Sequence, residues 1–220
     1  MTSTMPLRVQ AIPVGPLQAN CYLVADDATR RAVLVDPGDD GDALVAELAS
    51  QGLALDAIWV THAHLDHAGG IAAVRRAHPD APIWLHDADQ PLYARVAQQG
   101  ASWGITLEQP PATDRAWSEG DIVALGAHRF TVVHLPGHAP GHVALVGETI
   151  AFVGDVVFAG SIGRTDLPLS DPRAMQTSLE RVARWPESLL LHPGHGPTTT
   201  VGRELRTNPF LMGLARPVGA

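Results

Sequence analysis

A single cysteine in 220 residues excludes an intrachain disulfide and fits a reducing compartment. That residue, Cys21, lies within Ala19-Asn20-Cys21-Tyr22-Leu23, the setting of a packed thiol with no catalytic role. No apolar run is long enough to cross a membrane. Met1 to Pro6 has neither the charged nor the apolar region of an export signal, so the expectation is a cytoplasmic protein with no membrane partner. Positive charge is also scarce. Fifteen basic residues against 23 acidic ones give a formal net charge of −8, which argues against nucleic acid as a partner, because a phosphate backbone needs a basic face. No linker or low-complexity tract interrupts the chain. With 45% hydrophobic and 17% charged residues it reads as one soluble globular domain over residues 1–220, long enough to bury a sizeable core.

Histidine is plentiful: eleven residues, unevenly spread. His62-Ala63-His64-Leu65-Asp66-His67 places three imidazoles and a carboxylate in six positions. The apolar run from Leu55 to Val60 before it reads as a buried strand, and Gly70 to Arg76 after it as a helix. The donors therefore fall at a strand-to-helix junction, where sheets of parallel strands carry functional loops. From an extended backbone His62 and His64 point the same way. Asp66 and His67 follow where the chain turns and face a second point, an arrangement that invites two adjacent cations. Imidazole nitrogens with carboxylate oxygens suit zinc, iron or manganese. Solvated or core histidines are the ordinary alternative, and four donors in so short a stretch weigh against it.

His-Ala-His-Leu-Asp-His resembles the H-x-H-x-D-H signature of the metallo-β-lactamase superfamily. Three further stretches resemble that family's later motifs in the same order: Pro136-Gly137-His138-Ala139-Pro140-Gly141-His142, Phe152-Val153-Gly154-Asp155, and Pro193-Gly194-His195-Gly196-Pro197. The resemblance implies an α/β fold, a four-layer αββα sandwich. It also implies one metal held by His62, His64 and His138, a second by Asp66, His67 and His195, and Asp155 bridging them. Two divalent ions are then the expected cofactors, zinc first, with iron or manganese as alternatives. Asp66 has a second implied role, orienting the attacking hydroxide. Asp36, in Asp36-Pro37-Gly38, is either an outer partner of the centre or a turn-former. His142 and His192 read as outer or structural groups, and His78 and His86 as surface or packing residues.

Gly160-Ser161-Ile162-Gly163-Arg164-Thr165-Asp166 resembles a loop of small glyoxalase II-like hydrolases, in which a basic residue at the position of Arg164 holds glutathione. Arg206-Thr207-Asn208-Pro209 is similar to the single-domain bacterial type. These likenesses imply hydrolysis of a hydroxyacyl thioester such as S-lactoylglutathione, whose thiolate leaves with little acid assistance because its pKa is already low. The helical domain that completes the glutathione site in two-domain relatives has no counterpart here. A persulfide dioxygenase with one iron at His62, His138 and Asp155 is the alternative, disfavoured by the Gly-His-Gly-Pro ending. A β-lactamase is disfavoured by Asp155 and the missing export signal.

Apolar patterning gives strands over 7–12, 21–25, 32–35, 83–86, 121–125, 129–135, 143–146, 150–153 and 188–191. Helices are expected over 39–51, over 88–99 with an early interruption at Pro91, over 171–185, and over 200–214 with a break near Asn208-Pro209, the third capped by Asp171 with Pro172 at its first position. Residues 100–113 read as irregular.

Overall fold

The computed structural model describes residues 7–219. Fourteen strands and seven α-helices follow in chain order: β1 Arg8–Val14, β2 Ala19–Asp26, β3 Arg31–Val35, α1 Gly41–Ser50, β4 Ala54–Trp59, α2 Leu65–Ala68, α3 Ile71–Ala77, β5 Ile83–His86, α4 Gln90–Tyr93, α5 Val96–Ser102, β6 Arg115–Trp117, β7 Ile122–Leu125, β8 His128–His134, β9 Val143–Val146, β10 Ile150–Gly154, β11 Val157–Phe158, β12 Ser161–Ile162, α6 Pro172–Val182, β13 Leu190–Pro193, β14 Thr199–Thr200 and α7 Val201–Thr207. Two six-stranded sheets form, ordered β1-β2-β3-β4-β5-β6 and β14-β13-β10-β9-β8-β7, with β11-β12 as a separate small ribbon.

The period-two alternation of the central strands builds the layers. In β2, Tyr22 and Val24 enter the core between the sheets, with Trp59, Phe130 and Phe152. Their neighbours Cys21, Leu23 and Ala25 face the other way, against Leu44 and Leu48 of α1 and Ile71 and Val74 of α3. In β10, Phe152 lies between the sheets, whereas Ala151 and Val153 meet Met175, Leu179 and Val182 of α6. A strand buried on both faces needs cover on both, so helices flank each sheet and the order is αββα. Asp171 caps α6, its carboxylate accepting from the Arg173 and Ala174 amides.

One helix differs from its sequence expectation and another breaks where the sequence places the break. The segment expected as a helix over 88–99 interrupted early by Pro91 is a 3-10 turn (Asp87–Asp89) followed by α4, which includes Pro91 in its first turn, and α5. Arg95 leaves the helical region, its N–H donating to the Leu92 carbonyl, and the Gln99 side-chain amide donates to that same carbonyl and to that of Ala63. The final helix breaks at Asn208-Pro209 as expected: it stops at Thr207 because Asn208, preceding Pro209, is driven to an extended ψ of 116°. Strands β6, β11, β12 and β14 are two or three residues long, too short to show an alternation in sequence.

Candidate metal centre

Strands β3 and β4 run parallel, as do β10 and β13, and their carboxyl ends meet at one edge of the sandwich. Asp36 follows β3, the His62–His67 stretch follows β4, Asp155 follows β10 and His195 follows β13. His138 arrives on the loop between β8 and β9. Backbone bonds close the edge: Val143 N–H donates to the Thr61 carbonyl at 2.9 Å, and Asn20 N–H to that of Gly194 at 2.7 Å.

The donor atoms of His62, His64 and His138 lie within 4.8 Å of one another, and so do those of Asp66, His67 and His195. Asp155 stands between the two sets. Its Oδ1 is 3.4 Å from His67 Nε2, and its Oδ2 is 3.4 Å from His138 Nε2 and 3.7 Å from His195 Nε2. His195 Nε2 is 3.2 Å from Asp66 Oδ2. Two glycines make this approach feasible. A Cβ on Gly194 would sit 2.0 Å from Asp155 Oδ1, and one on Gly154, whose φ is +44°, would sit 2.5 Å from Thr61 Oγ1.

Outer hydrogen bonds fix which nitrogen of each ring faces inward. His138 Nδ1–H donates to the Arg164 carbonyl at 2.8 Å, leaving the Nε2 lone pair 2.8 Å from His64 Nδ1. Thr61 Oγ1–H donates to Asp36 Oδ2 at 2.6 Å, so it accepts from His62 Nδ1–H at 3.1 Å and His62 Nε2 is turned to the centre. His67 Nδ1–H donates to the same Asp36 oxygen at 3.1 Å. Asp36 also has donor atoms near His62 and His67. Its oxygens are already taken by the Thr61 amide, the Thr61 hydroxyl and His67, so it orients the rings.

Charge divides the centre. Burial keeps His62 well below the usual imidazole range and lowers His64 to about 3 and His138 to about 4, so all three present lone pairs at neutral pH. Burial also opposes the His67 imidazolium, but Asp155, Asp66 and Asp36 outweigh it and raise the ring to about 10. Burial raises Asp155. It works the same way on Asp66, where the cationic His67 and His195 prevail and lower the carboxyl. In the metal-free chain, then, a proton on His67 balances carboxylates that a divalent cation would balance better. His62 Nε2, His67 Nε2 and Asp155 Oδ1 are buried without a hydrogen-bond partner. Three such orphans among the donors are costly unless cations meet them, so nitrogen and oxygen donors here fit a pair of borderline divalent ions.

Two supports outside the donor set deserve naming. His142 Nε2 accepts the Asp155 amide at 2.9 Å while its ring stacks on His62 at 4.9 Å. Asp89, fully buried, accepts from the Ala63 amide with one oxygen and from the Gly141 amide with the other, tying two of the histidine loops together. Sequence reasoning passed over Asp89, because an acidic residue in a turn after a strand carries no ligand spacing. His192 lies between the sheets against Tyr22 and Phe152. His86 stacks on His134 at 4.3 Å, away from the centre.

Above the donors opens a cleft of about 740 Å³, floored by His64, Asp66, His138, Asp155 and His195. Arg164 lines it, with its guanidinium held by Asp166 at 2.7 and 2.9 Å.

An αββα sandwich that gathers histidines and carboxylates at the strand ends below an open cleft defines a metallo-hydrolase class of fold. The chain belongs to the metallo-β-lactamase superfamily, whose sequence profile (Metallo-beta-lactamase superfamily) matches residues 14–195. It is 34% identical to hydroxyacylglutathione hydrolase GloC of Haemophilus influenzae over 93% of this chain and 98% of that one. Among solved structures, TTHA1623 in a di-iron-bound form is 45% identical with a TM-score of 0.85, covering 92% of this chain and 100% of that one. The BLEG-1 B3 metallo-β-lactamase is 36% identical with a TM-score of 0.86, covering 94% of this chain and 100% of that one.

Proposed function

We propose that the protein is a binuclear metal-dependent hydrolase of thioesters, with S-lactoylglutathione or a related hydroxyacyl thioester as substrate. The observation that carries this is the seat of Asp155, one carboxylate oxygen toward His67 and the other toward His138 and His195. A carboxylate shared in this way suits two cations side by side, whereas a lone iron at His62, His138 and Asp155 would leave Asp66, His67 and His195 without a task. Bound there, the pair supplies Lewis acidity and a water acidified toward neutrality.

The chain's own groups do the rest. His62, His64 and His138 would hold one ion, and Asp66, His67 and His195 the other. Asp66 is the group we assign to orient the water, since it lies on the cleft floor beside His195. Walls above the floor limit bulk water around the reacting carbonyl and strengthen the electrostatic contacts beneath it. No general acid is required for a thiolate, whose conjugate acid has a pKa of about 8.5.

That last point ranks the substrates. Opening a β-lactam, the reading favoured by the likeness to BLEG-1, expels an amine nitrogen that needs a proton. A thioester does not. Hydroxyacyl-glutathione as the thioester is supported by the likeness to GloC. The test is elemental analysis of protein purified without added metal, paired with thiol release from acyl-glutathione thioesters at neutral pH. About two metal ions per chain with thiol release is the expected result. About one iron, with oxygen uptake on glutathione persulfide, overturns it in favour of the dioxygenase.

A further inference from the structure

The walls of the cleft are chemically unlike its floor. Leu17, Leu92, Trp103, Phe158, Leu167 and Leu169 line them, drawn from the β1–β2 turn, the α4–α5 region, β11 and the segment before α6. Six large apolar side chains are exposed among the described residues, and two of them, Trp103 at 55% and Leu169 at 56%, border this cleft. Apolar side chains exposed singly are ordinary, but gathered around a concave site they mark a surface that something apolar covers.

Leu169 is held there against its own preference. Its φ of +69° is a left-handed conformation that a leucine rarely adopts. The turn that imposes it is anchored at the centre: Ser170 Oγ–H donates to the His138 carbonyl at 2.7 Å, and Asp171 N–H to the Gly137 carbonyl at 2.7 Å. The apolar rim is thus tied to the loop that carries His138. A lactoyl group, three carbons with a hydroxyl, would leave most of these walls in contact with water.

We infer that, among the thioesters the centre would hydrolyse, the cleft favours those whose acyl group carries an extended apolar chain over the short lactoyl group, and that Trp103 and Leu169 are its specificity determinants. The inference rests on the hydrolytic reading for its chemistry and on the walls alone for its selectivity. Burying each added methylene between them favours the longer chain until the walls are filled.

Uncleavable thioethers separate the two. Calorimetric titration of the metal-loaded protein with S-methylglutathione and S-hexylglutathione reads binding without turnover. The expected result is that S-hexylglutathione binds about tenfold tighter, and that the ratio falls to about twofold in a Trp103→Ser/Leu169→Gly variant. Glycine relieves the backbone strain at 169 and Trp103 is exposed, so the variant keeps its fold, checked by an unchanged melting temperature. Equal affinities in the native protein, no binding of either compound, or a preference that survives the double substitution would each overturn the inference. In parallel, kcat/KM is measured from lactoyl- to hexanoyl-glutathione. Selective thioether binding without hydrolysis of any thioester leaves the selectivity standing and sinks the hydrolytic reading instead.

Discussion

Asp89 Oδ2 accepts the backbone N–H of Ala63 at 2.8 Å across 26 residues of chain, and Ala63 is flanked on both sides by donors of the first triad. The other oxygen takes the Gly141 amide. Burial raises this carboxyl from 3.8 to about 6, partly offset by those two amides. Between about pH 3.8 and 6 the folded chain therefore keeps a proton that the unfolded chain has released, so this group makes stability fall as pH rises through that window. Asp89→Asn cannot accept from both amides and is expected to lose about 1–3 kcal/mol near pH 4. The loss shrinks toward pH 6, because the variant lacks the ionisation penalty. Urea unfolding of both chelator-treated proteins across that range checks it; a pH-independent difference between them contradicts the assignment.

His142 is expected to act on metal affinity through Asp155. Its Nε2 receives the Asp155 amide and its ring supports that of His62. Removing the acceptor with His142→Leu leaves that amide unpaired and frees Asp155 to shift. Metal affinity, read by competition with a chromophoric chelator, should fall about 10- to 100-fold. His142→Gln restores an acceptor near the same place and should recover part of the loss. Unaltered affinity in the leucine variant would mean that the ring merely fills space.

Gly194→Ala tests how tightly the bridging carboxylate is seated. The added methyl would lie 2.0 Å from Asp155 Oδ1 and 2.7 Å from His67 Cε1, in the space where two donor groups approach one another. Metal content is expected to drop from about two ions per chain to one or none, with hydrolysis lost. The same substitution at Gly104, whose φ of +73° strains an alanine but where nothing lies within 4 Å of the added atom, is the comparison for backbone strain without a clash and should keep both ions. Two ions retained in Gly194→Ala would show that Asp155 has room to move.

The layered fold was legible because continuous apolar runs such as 21–25 and 32–35 report burial on both faces of a strand. The His62–His67 cluster stood out by its spacing at a strand end, whereas His138, Asp155 and His195 were pointed to only by motifs resembling the superfamily's; the structure brings these seven side chains together at one edge. What escaped was cooperative. Asp89 matters through two backbone amides, at positions 63 and 141, that no local pattern connects to it. The break at Arg95 depends on Gln99 reaching carbonyls in two other segments. Arg164 was assigned from its loop alone, and its bidentate partner Asp166, two residues on, shows only in three dimensions.

That pair sets the last prediction. Arg164 lines the cleft, yet its guanidinium fork is filled by Asp166, and both residues are exposed. Arg95 lines the same cleft and pairs with no carboxylate among the described residues. If Arg164 holds the anionic thiol moiety of the substrate, that moiety must displace Asp166, so the carboxylate competes with substrate. Asp166→Ala should then lower KM for lactoylglutathione about threefold, and Arg164→Ala should raise it about tenfold, with kcat little changed in either because the contact is the same in ground and transition states. Added salt should weaken the native enzyme's binding less than that of Asp166→Ala, since it also screens the competing pair. If Asp166→Ala leaves KM where it was and Arg95→Ala raises it, the substrate's charge lies on the α5 side of the cleft, and Arg164 serves its loop through the carbonyl that accepts His138 Nδ1–H. The two outcomes move KM through different residues, so one steady-state series over three variants decides between them.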